Sequence, residues 1–379
     1  MSRRELLAAS ALLLACPGAA LPRASGARAA VTAVAAKAPA SGAAPIILCW
    51  NENPYGPSPA ARAAIAASVS QGCRYPDDEL PQLVELLAKK EGVTKERIVT
   101  GTGSGELLRA LGMICGHGAG EIVAAEPTYA ELTEYAQGAG ATLKWVPVDK
   151  QLRHDLTAMR AAVSERTRGV YVCNPNNPTG TTVAAAAIEE LVNSMPDHVT
   201  TIVDEAYLDF VEAQDVRSMA NLTAGGKRVV VLRTFSKIHG MAGVRCGYAI
   251  ARADVAAEIS KARMTTPNIF AVRGAAASLG DQAFLTDCRR RIVTSRARIT
   301  SELARMGFTF ADPQGNFVFF DTGVPLKQFT EFMRKRDILV GRRFPPYENW
   351  CRITIGTEPE VDAFLGGLRA FRASNQSKA

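Results

Sequence analysis

From Ile46 onward, short unbroken apolar runs alternate with longer stretches whose apolar residues recur at helical spacing. Gly169-Val170-Tyr171-Val172-Cys173, Thr201-Ile202-Val203 and Val229-Val230-Val231-Leu232 each read as a strand. None of the three alternates with polar residues, so each is expected to be covered on both faces. Ala184 to Met195, between the first two, has the Ala/Ile/Leu spacing of a crossover helix that Pro196 ends. This order predicts an α/β fold: a three-layer αβα large domain around a mostly parallel sheet. Downstream, Arg263 to Met306 carries helical periodicity, and Asn316-Phe317-Val318-Phe319-Phe320 and Arg352-Ile353-Thr354-Ile355 read as strands of a smaller α+β C-terminal domain. The expected division is a leader over 1–44, an N-terminal arm over 45–75, the large domain over 76–275 and the small domain over 276–379.

A chain of 379 residues exceeds the roughly 250–300 at which one core stops growing, which agrees with two lobes. The formal charge of +7 suggests nucleic acid or a membrane surface until it is located. Arg3, Arg4, Arg23, Arg28 and Lys37 against Glu5 place +4 before residue 45 and leave +3 for the rest, an ordinary value that removes both partners from the picture.

The N-terminus itself reads as a targeting segment, with Arg3-Arg4 ahead of an apolar run from Leu6 to Ala15 and small residues after it. The run is shorter than the ~20 residues of a spanning helix. The arginine pair resembles a twin-arginine signal, which predicts export to a periplasm, and a cytoplasmic enzyme if the leader does not function. Leu13-Leu14-Ala15-Cys16 also fits a lipoprotein site that would tether the chain at Cys16, with a soluble cleavage site near Ala30 in competition. The remaining cysteines are irregularly spaced without a C-x-x-C pair, and no two histidines are spaced for a metal, so no metal site is expected.

Candidate chemistry lies directly after the strands: Asn174-Pro175-Asn176-Asn177-Pro178-Thr179-Gly180, Asp204-Glu205-Ala206-Tyr207 and Thr234-Phe235-Ser236-Lys237. In open α/β sheets ligands bind outside the carboxyl ends of the strands, so the three clusters converge on one edge. Together they meet the needs of an amine-transferring site. Lys237, just past an apolar strand, offers a desolvated amine that condenses with an aldehyde. Asp204 offers a carboxylate for a pyridine nitrogen that must stay protonated to draw electrons. Tyr207 and Asn177 are candidates for the ring oxygen. Gly103, Ser104 and Gly105, leading into a helix, offer backbone amides to a phosphate, and Thr234, Ser236 and Arg245 add hydroxyls and a cation. Taken singly, a Gly-rich turn is a plain turn and an Asp after a strand is a helix cap; the order and the strand-end placement carry the reading.

The residues resemble the fold-type-I pyridoxal-phosphate aminotransferases of class I/II, and within them the histidinol-phosphate aminotransferase branch. The resemblance runs from Asn51-Glu52-Asn53-Pro54-Tyr55-Gly56-Pro57 through Arg74-Tyr75-Pro76-Asp77, Pro127-Thr128-Tyr129 and the three clusters to Gly243-Val244-Arg245-Cys246-Gly247-Tyr248 and Arg352-Ile353-Thr354-Ile355-Gly356-Thr357. It implies pyridoxal 5'-phosphate as cofactor, and a homodimer with shared active sites to which the arm contributes. Tyr75 would reach the partner's cofactor phosphate, Tyr129 would stack on the pyridine ring, Tyr55 would border the substrate pocket and Arg352 would bind the substrate's anion. Amino donor and 2-oxo acid acceptor are then the small-molecule partners. The chain departs from the branch pattern at Ile238-His239 and at Val340-Gly341-Arg342-Arg343, where one arginine is usual. Arg342 is preferred over Arg343 as the pocket residue, and His239 is expected behind the site or on the surface. Transamination is the leading reading. A decarboxylase or lyase of the same fold and a non-catalytic ligand sensor built on it are the alternatives, because cofactor motifs do not choose the bond that breaks.

Overall fold

A computed structural model of the chain describes residues 44–376, so the expected leader, with Arg3-Arg4 and Cys16, lies outside the described residues apart from Ala44. The strands are β1 (Ile46–Leu48), β2 (Ile98–Gly101), β3 (Glu121–Glu126), β4 (Thr142–Pro147), β5 (Thr167–Cys173), β6 (Thr200–Asp204), β7 (Arg228–Thr234), β8 (Gly247–Ala251), β9 (Phe317–Asp321), β10 (Ile338–Val340) and β11 (Trp350–Thr354). β2 to β8 form one sheet in the order β2-β8-β7-β6-β5-β3-β4, in which only β8 runs against its neighbours. The expected mostly parallel sheet is present.

Both faces of this sheet are covered. Val229 and Val231 of β7 join Leu87, Ile188, Leu191 and Val272 in one core, while Val230 and Leu232 join Leu107, Leu111, Leu132 and Ile259 in the other. Alternate residues of a strand point to opposite faces, so an unbroken apolar run is what two helical layers require. Each such Val or Leu contributes about 1.5–3 kcal/mol by leaving water. β5, β6 and β7 pair with Cys173 opposite Asp204 and Asp204 opposite Leu232. Their carboxyl ends are therefore level, and the three polar clusters share one edge.

A further core forms around antiparallel β9 and β11 with the helices Gln282–Arg305, Leu326–Arg334 and Glu358–Gln376. The stretch of helical periodicity from Arg263 to Met306 forms two helices, Ile269–Gly280 and Gln282–Arg305. Pro267 bars a helix upstream, and the Asn268 side chain caps the first by accepting from the Ala271 amide at 2.9 Å. Asp281 then stops the first and caps the second. The break divides the cores, for Ala271, Val272 and Ala275 pack under the sheet and Cys288, Ile292 and Ile299 pack in the C-terminal core. The change of core thus falls at Asp281, and both cores belong to one compact unit from Pro45 onward.

The arm joins the two cores. β1 pairs in parallel with β10, and the helix Pro59–Ala67 packs on Ile269–Gly280. Between them Asn53 Nδ2 donates to Ile238 O at 2.8 Å. Gly240 (φ +67°) is required where the arm crosses, since a Cβ there would lie 2.1 Å from Gly56 O. Among the described residues no helix is long and apolar enough to cross a membrane, and no group of His, Cys, Asp and Glu could hold a metal.

Candidate active site

A cavity of about 450 Å³ opens at the sheet edge where the three clusters meet. In the turn after β7 the Ser236 amide donates to Thr234 Oγ1 at 3.1 Å and Phe235 is buried beneath, which presents Lys237 to the cavity. Lys237 Nζ donates to the Asn51 backbone oxygen at 2.9 Å and lies 5.4 Å from the centre of the Tyr207 ring. Desolvation, with the positive charge of Arg352 second, lowers the Lys237 pKa to about 8 against the opposing pull of Glu52 and Asp204.

Asp204 ends β6 and is 2% exposed. Its Oδ2 accepts from Tyr171 Oη at 3.2 Å and its Oδ1 from the Ala206 amide at 3.1 Å. Burial pushes its pKa up to about 6, and these two hydrogen bonds and Lys237 hold it from rising further. The Tyr207 hydroxyl accepts from Asn51 Nδ2 at 3.1 Å and from Asn177 Nδ2 at 3.4 Å. Arg352, from β11, donates through Nη1 to Asn177 Oδ1 at 2.6 Å and through Nη2 to Cys49 O at 2.8 Å. Its Nε is buried with no partner among the described residues, and the residue lines the cavity. Burial lowers the Arg352 pKa, so its charge comes at a desolvation cost that an anion would offset.

The wall opposite is the start of the helix Ser104–Gly116, capped by Gly103 at φ +90°. A Cβ on Gly103 would lie 2.5 Å from Arg245 Nη2, so glycine lets the guanidinium rest against the turn. The first-turn amides of Ser104 and Gly105 have no intrahelical acceptor. Ser104, Gly105, Thr234, Ser236 and Arg245 all line the cavity, and nothing lies within 4 Å of a Cβ built on Gly105. Amides, hydroxyls and a guanidinium around open space suit a phosphate. An acidic group for a ring nitrogen and an amine of lowered pKa share the same cavity, so the donor set fits pyridoxal 5'-phosphate.

Tyr129 lines the cavity and donates to Glu131 Oε2 at 3.1 Å, while Glu131 pairs with Arg109. Arg342 lines the cavity; Arg343 does not, because it pairs with Glu348 at 2.7 Å. Tyr75, expected to reach the partner's cofactor phosphate, is 86% exposed. Tyr55, expected beside the substrate, does not border the cavity. The Tyr55 amide donates to Asn53 Oδ1 at 3.1 Å in a tight turn, and the ring packs on the C-terminal core 5.1 Å from the Arg291 guanidinium. His239 is buried rather than on the surface, with Nδ1 2.7 Å from Ser278 Oγ and its ring 4.5 Å from that of Phe235.

Several residues of the site escaped sequence reasoning, chiefly Asn51, Trp50 and Glu52 in the wall and Tyr171 behind Asp204. Asn51 holds φ +54°, a left-handed conformation Asn tolerates, and so meets Lys237 with its carbonyl and Tyr207 with its amide. Its only signal in the sequence was its place in the Asn51-Glu52-Asn53-Pro54 stretch that carries the resemblance.

Solved structures share this architecture. A histidinol-phosphate aminotransferase from Sinorhizobium meliloti, in complex with pyridoxal-5'-phosphate, matches with a TM-score of 0.82 at 26% identity over 87% of this chain and 91% of that one. A protein provisionally called a histidinol-phosphate aminotransferase, from Erwinia carotovora atroseptica, matches at 0.85 with 35% identity over 89% and 99%. The fold is that of the fold-type-I pyridoxal-phosphate transferases. The aminotransferase class I and II family matches residues 44–368, and the chain belongs to that family, whose activity is transamination. The histidinol-phosphate aminotransferase of Moorella thermoacetica is 37% identical over 331 residues, covering 86% of each chain. The aromatic amino acid aminotransferase of Mycobacteroides abscessus is 38% identical over 328 residues, covering 86% of this chain and 93% of that one.

Proposed function

We propose that the chain moves an amino group from a donor that joins a flat ring to an anionic group onto a 2-oxo acid, with pyridoxal 5'-phosphate as cofactor. The observation that carries this is the sharing of one cavity by Lys237, Asp204 and the cradle at Ser104 and Gly105, with Arg342 and Arg352 in its wall. Two kinds of relative, named for histidinol phosphate and for aromatic amino acids, have a ring and an anion in common. Trp50 and Tyr129 line the cavity where a ring would need apolar walls.

Bound there, the cofactor supplies an aldehyde for amines and a ring that draws electrons from the donor Cα. Ser104, Gly105, Thr234, Ser236 and Arg245 would hold its phosphate. Asp204 would keep a proton on the ring nitrogen, and Tyr207 with Asn177 would hydrogen-bond the ring oxygen. Lys237 Nζ, neutral in a useful fraction at a pKa of about 8, would take the proton from the donor Cα and pass it to the carbon that carried the cofactor's aldehyde, which leaves the amino group on the cofactor. Arg352, with Arg342 beside it, orients the Cα–H bond by holding the anion.

The decarboxylase and sensor readings would use the same pocket but have no separate support. The test is a panel of amino donors, including histidinol phosphate, phenylalanine and tyrosine, with 2-oxoglutarate as acceptor, followed by the cofactor's absorbance and by carbon-dioxide release. Amino transfer from ring donors is expected; carbon dioxide without transfer to any 2-oxo acid would sink the reading. Exposure of Tyr75, Val69 and Met264 supports a homodimer, checked by sedimentation equilibrium. The leader supports export, checked by fractionating cells that carry Arg3→Lys and Arg4→Lys, which should retain the protein in the cytoplasm.

A further inference from the structure

Glu106 is the third residue of the helix that begins the phosphate cradle, yet it is only 7% exposed. An acid at this position ordinarily reaches back to the N-cap amide. Here Oε2 accepts instead from the Thr102 amide at 2.6 Å and from Thr102 Oγ1 at 2.8 Å. Oε1 accepts from the Met264 amide at 3.0 Å and the Thr265 amide at 2.7 Å, about 160 residues further along. One carboxylate thus gathers four donors from two segments that meet at the cradle. A second tie runs alongside, from Arg263 Nη1 to Thr100 O at 2.9 Å.

The placement has an electrostatic logic. A buried carboxylate near a phosphate site would repel the phosphate unless its charge were taken up by other donors. Thr102, Met264 and Thr265 take it up, and none of these donors belongs to the first-turn amides of Ser104 and Gly105. Those remain available to an external anion. Geometry reinforces the separation: a Cβ on Gly101 would lie 3.1 Å from Glu106 Oε2, so the strand end is small where the carboxylate passes.

We propose that Glu106 is a positioning residue of the cofactor site: it clamps the turn Thr102–Gly105 to the Met264–Thr265 segment and so holds the cradle in its phosphate-receiving shape. The inference rests on the proposed cofactor. Removing the clamp leaves four donors to find water and lets the turn move, which weakens capture of the phosphate without touching the groups that act on the donor.

The experiment titrates cofactor-free protein with pyridoxal 5'-phosphate, and separately follows the apoprotein's thermal midpoint. Glu106→Ala is expected to weaken cofactor binding about tenfold or more, and Glu106→Gln less, because its one carbonyl oxygen can still serve two donors. At saturating cofactor, the donor KM and kcat of both variants stay near those of the unaltered protein. Thr102→Val, which removes a single donor and leaves the carboxylate in place, should weaken binding a few-fold and covers the case in which Glu106→Ala does not fold. A lowered thermal midpoint with unchanged cofactor affinity in Glu106→Gln and Thr102→Val overturns the proposal. Failure of the unaltered protein to bind the cofactor at all overturns the function on which it rests, a separate result.

Discussion

On the sheet side of the cavity Asp204, Tyr207 and Asn177 are at most 5% exposed and each has hydrogen-bond partners within the protein. On the side formed by the arm and the segment after β10, the arm side for short, Trp50 is 64% exposed, and Arg342 has no hydrogen bond or ion pair among the described residues, only the face of Phe344 at 4.9 Å. The first set is held before any ligand arrives, as groups that act on one unchanging cofactor must be. The second set is open to solvent, as suits groups that meet different donors. On the proposed function, the sheet side would carry the chemistry and the arm side the choice of donor.

Substitutions can break that division. The largest effect is expected at Lys237→Ala, with kcat down on the order of 10³-fold or more and loss of the absorbance that reports the lysine joined to the cofactor. If Arg342→Leu matched it, the two sides would not differ in kind. Asp204→Asn keeps the shape but cannot keep the ring nitrogen charged, so kcat should fall about 10²-fold or more with little change in donor KM. Steady-state kinetics at saturating cofactor would show this. On the arm side, Arg342→Leu should raise KM for the anionic donor about three- to tenfold and leave kcat nearly as it was. Trp50→Ala should shift the ratio of kcat/KM between ring-bearing and aliphatic donors without altering cofactor affinity.

The smallest expected effect couples the sides through charge. Lys237 reacts as the neutral amine, so the rate at which cofactor-free protein takes up pyridoxal 5'-phosphate should rise as pH increases through about 8. Arg352 is the second cause of that lowered pKa. Arg352→Gln removes a positive neighbour, makes the ammonium form easier to hold, and should move the midpoint to higher pH by about half a unit to one unit. A midpoint that stayed in place would mean that burial alone lowers the lysine.

The sheet side was readable for a reason that Lys237 illustrates. A lysine after one strand means little, but the level carboxyl ends of parallel strands oblige Asp204, Asn177 and Lys237 to meet. The arm side was not readable in the same way. Tyr55 was placed by resemblance and does not reach the cavity, since the turn at Asn53 and Gly56 sends it toward the C-terminal core. The helical period from Arg263 to Met306 did not show where its helices start and break, as Pro267, Asn268 and Asp281 each carry stop or cap chemistry that the apolar period concealed.

What the sequence by itself determined, then, was the alternation of strand and helix, the burial of both sheet faces and the edge at which the polar clusters gather. These follow from residue periods of two and 3.6 and from the way parallel strands align. Only the tertiary structure decided that Asn51 would join Lys237 to Tyr207, that Arg342 rather than Arg343 would face the cavity, and that Glu106 would reach Met264. Those outcomes depend on contacts such as Asn51 with Thr354, 303 residues apart, whose pairing no local period encodes.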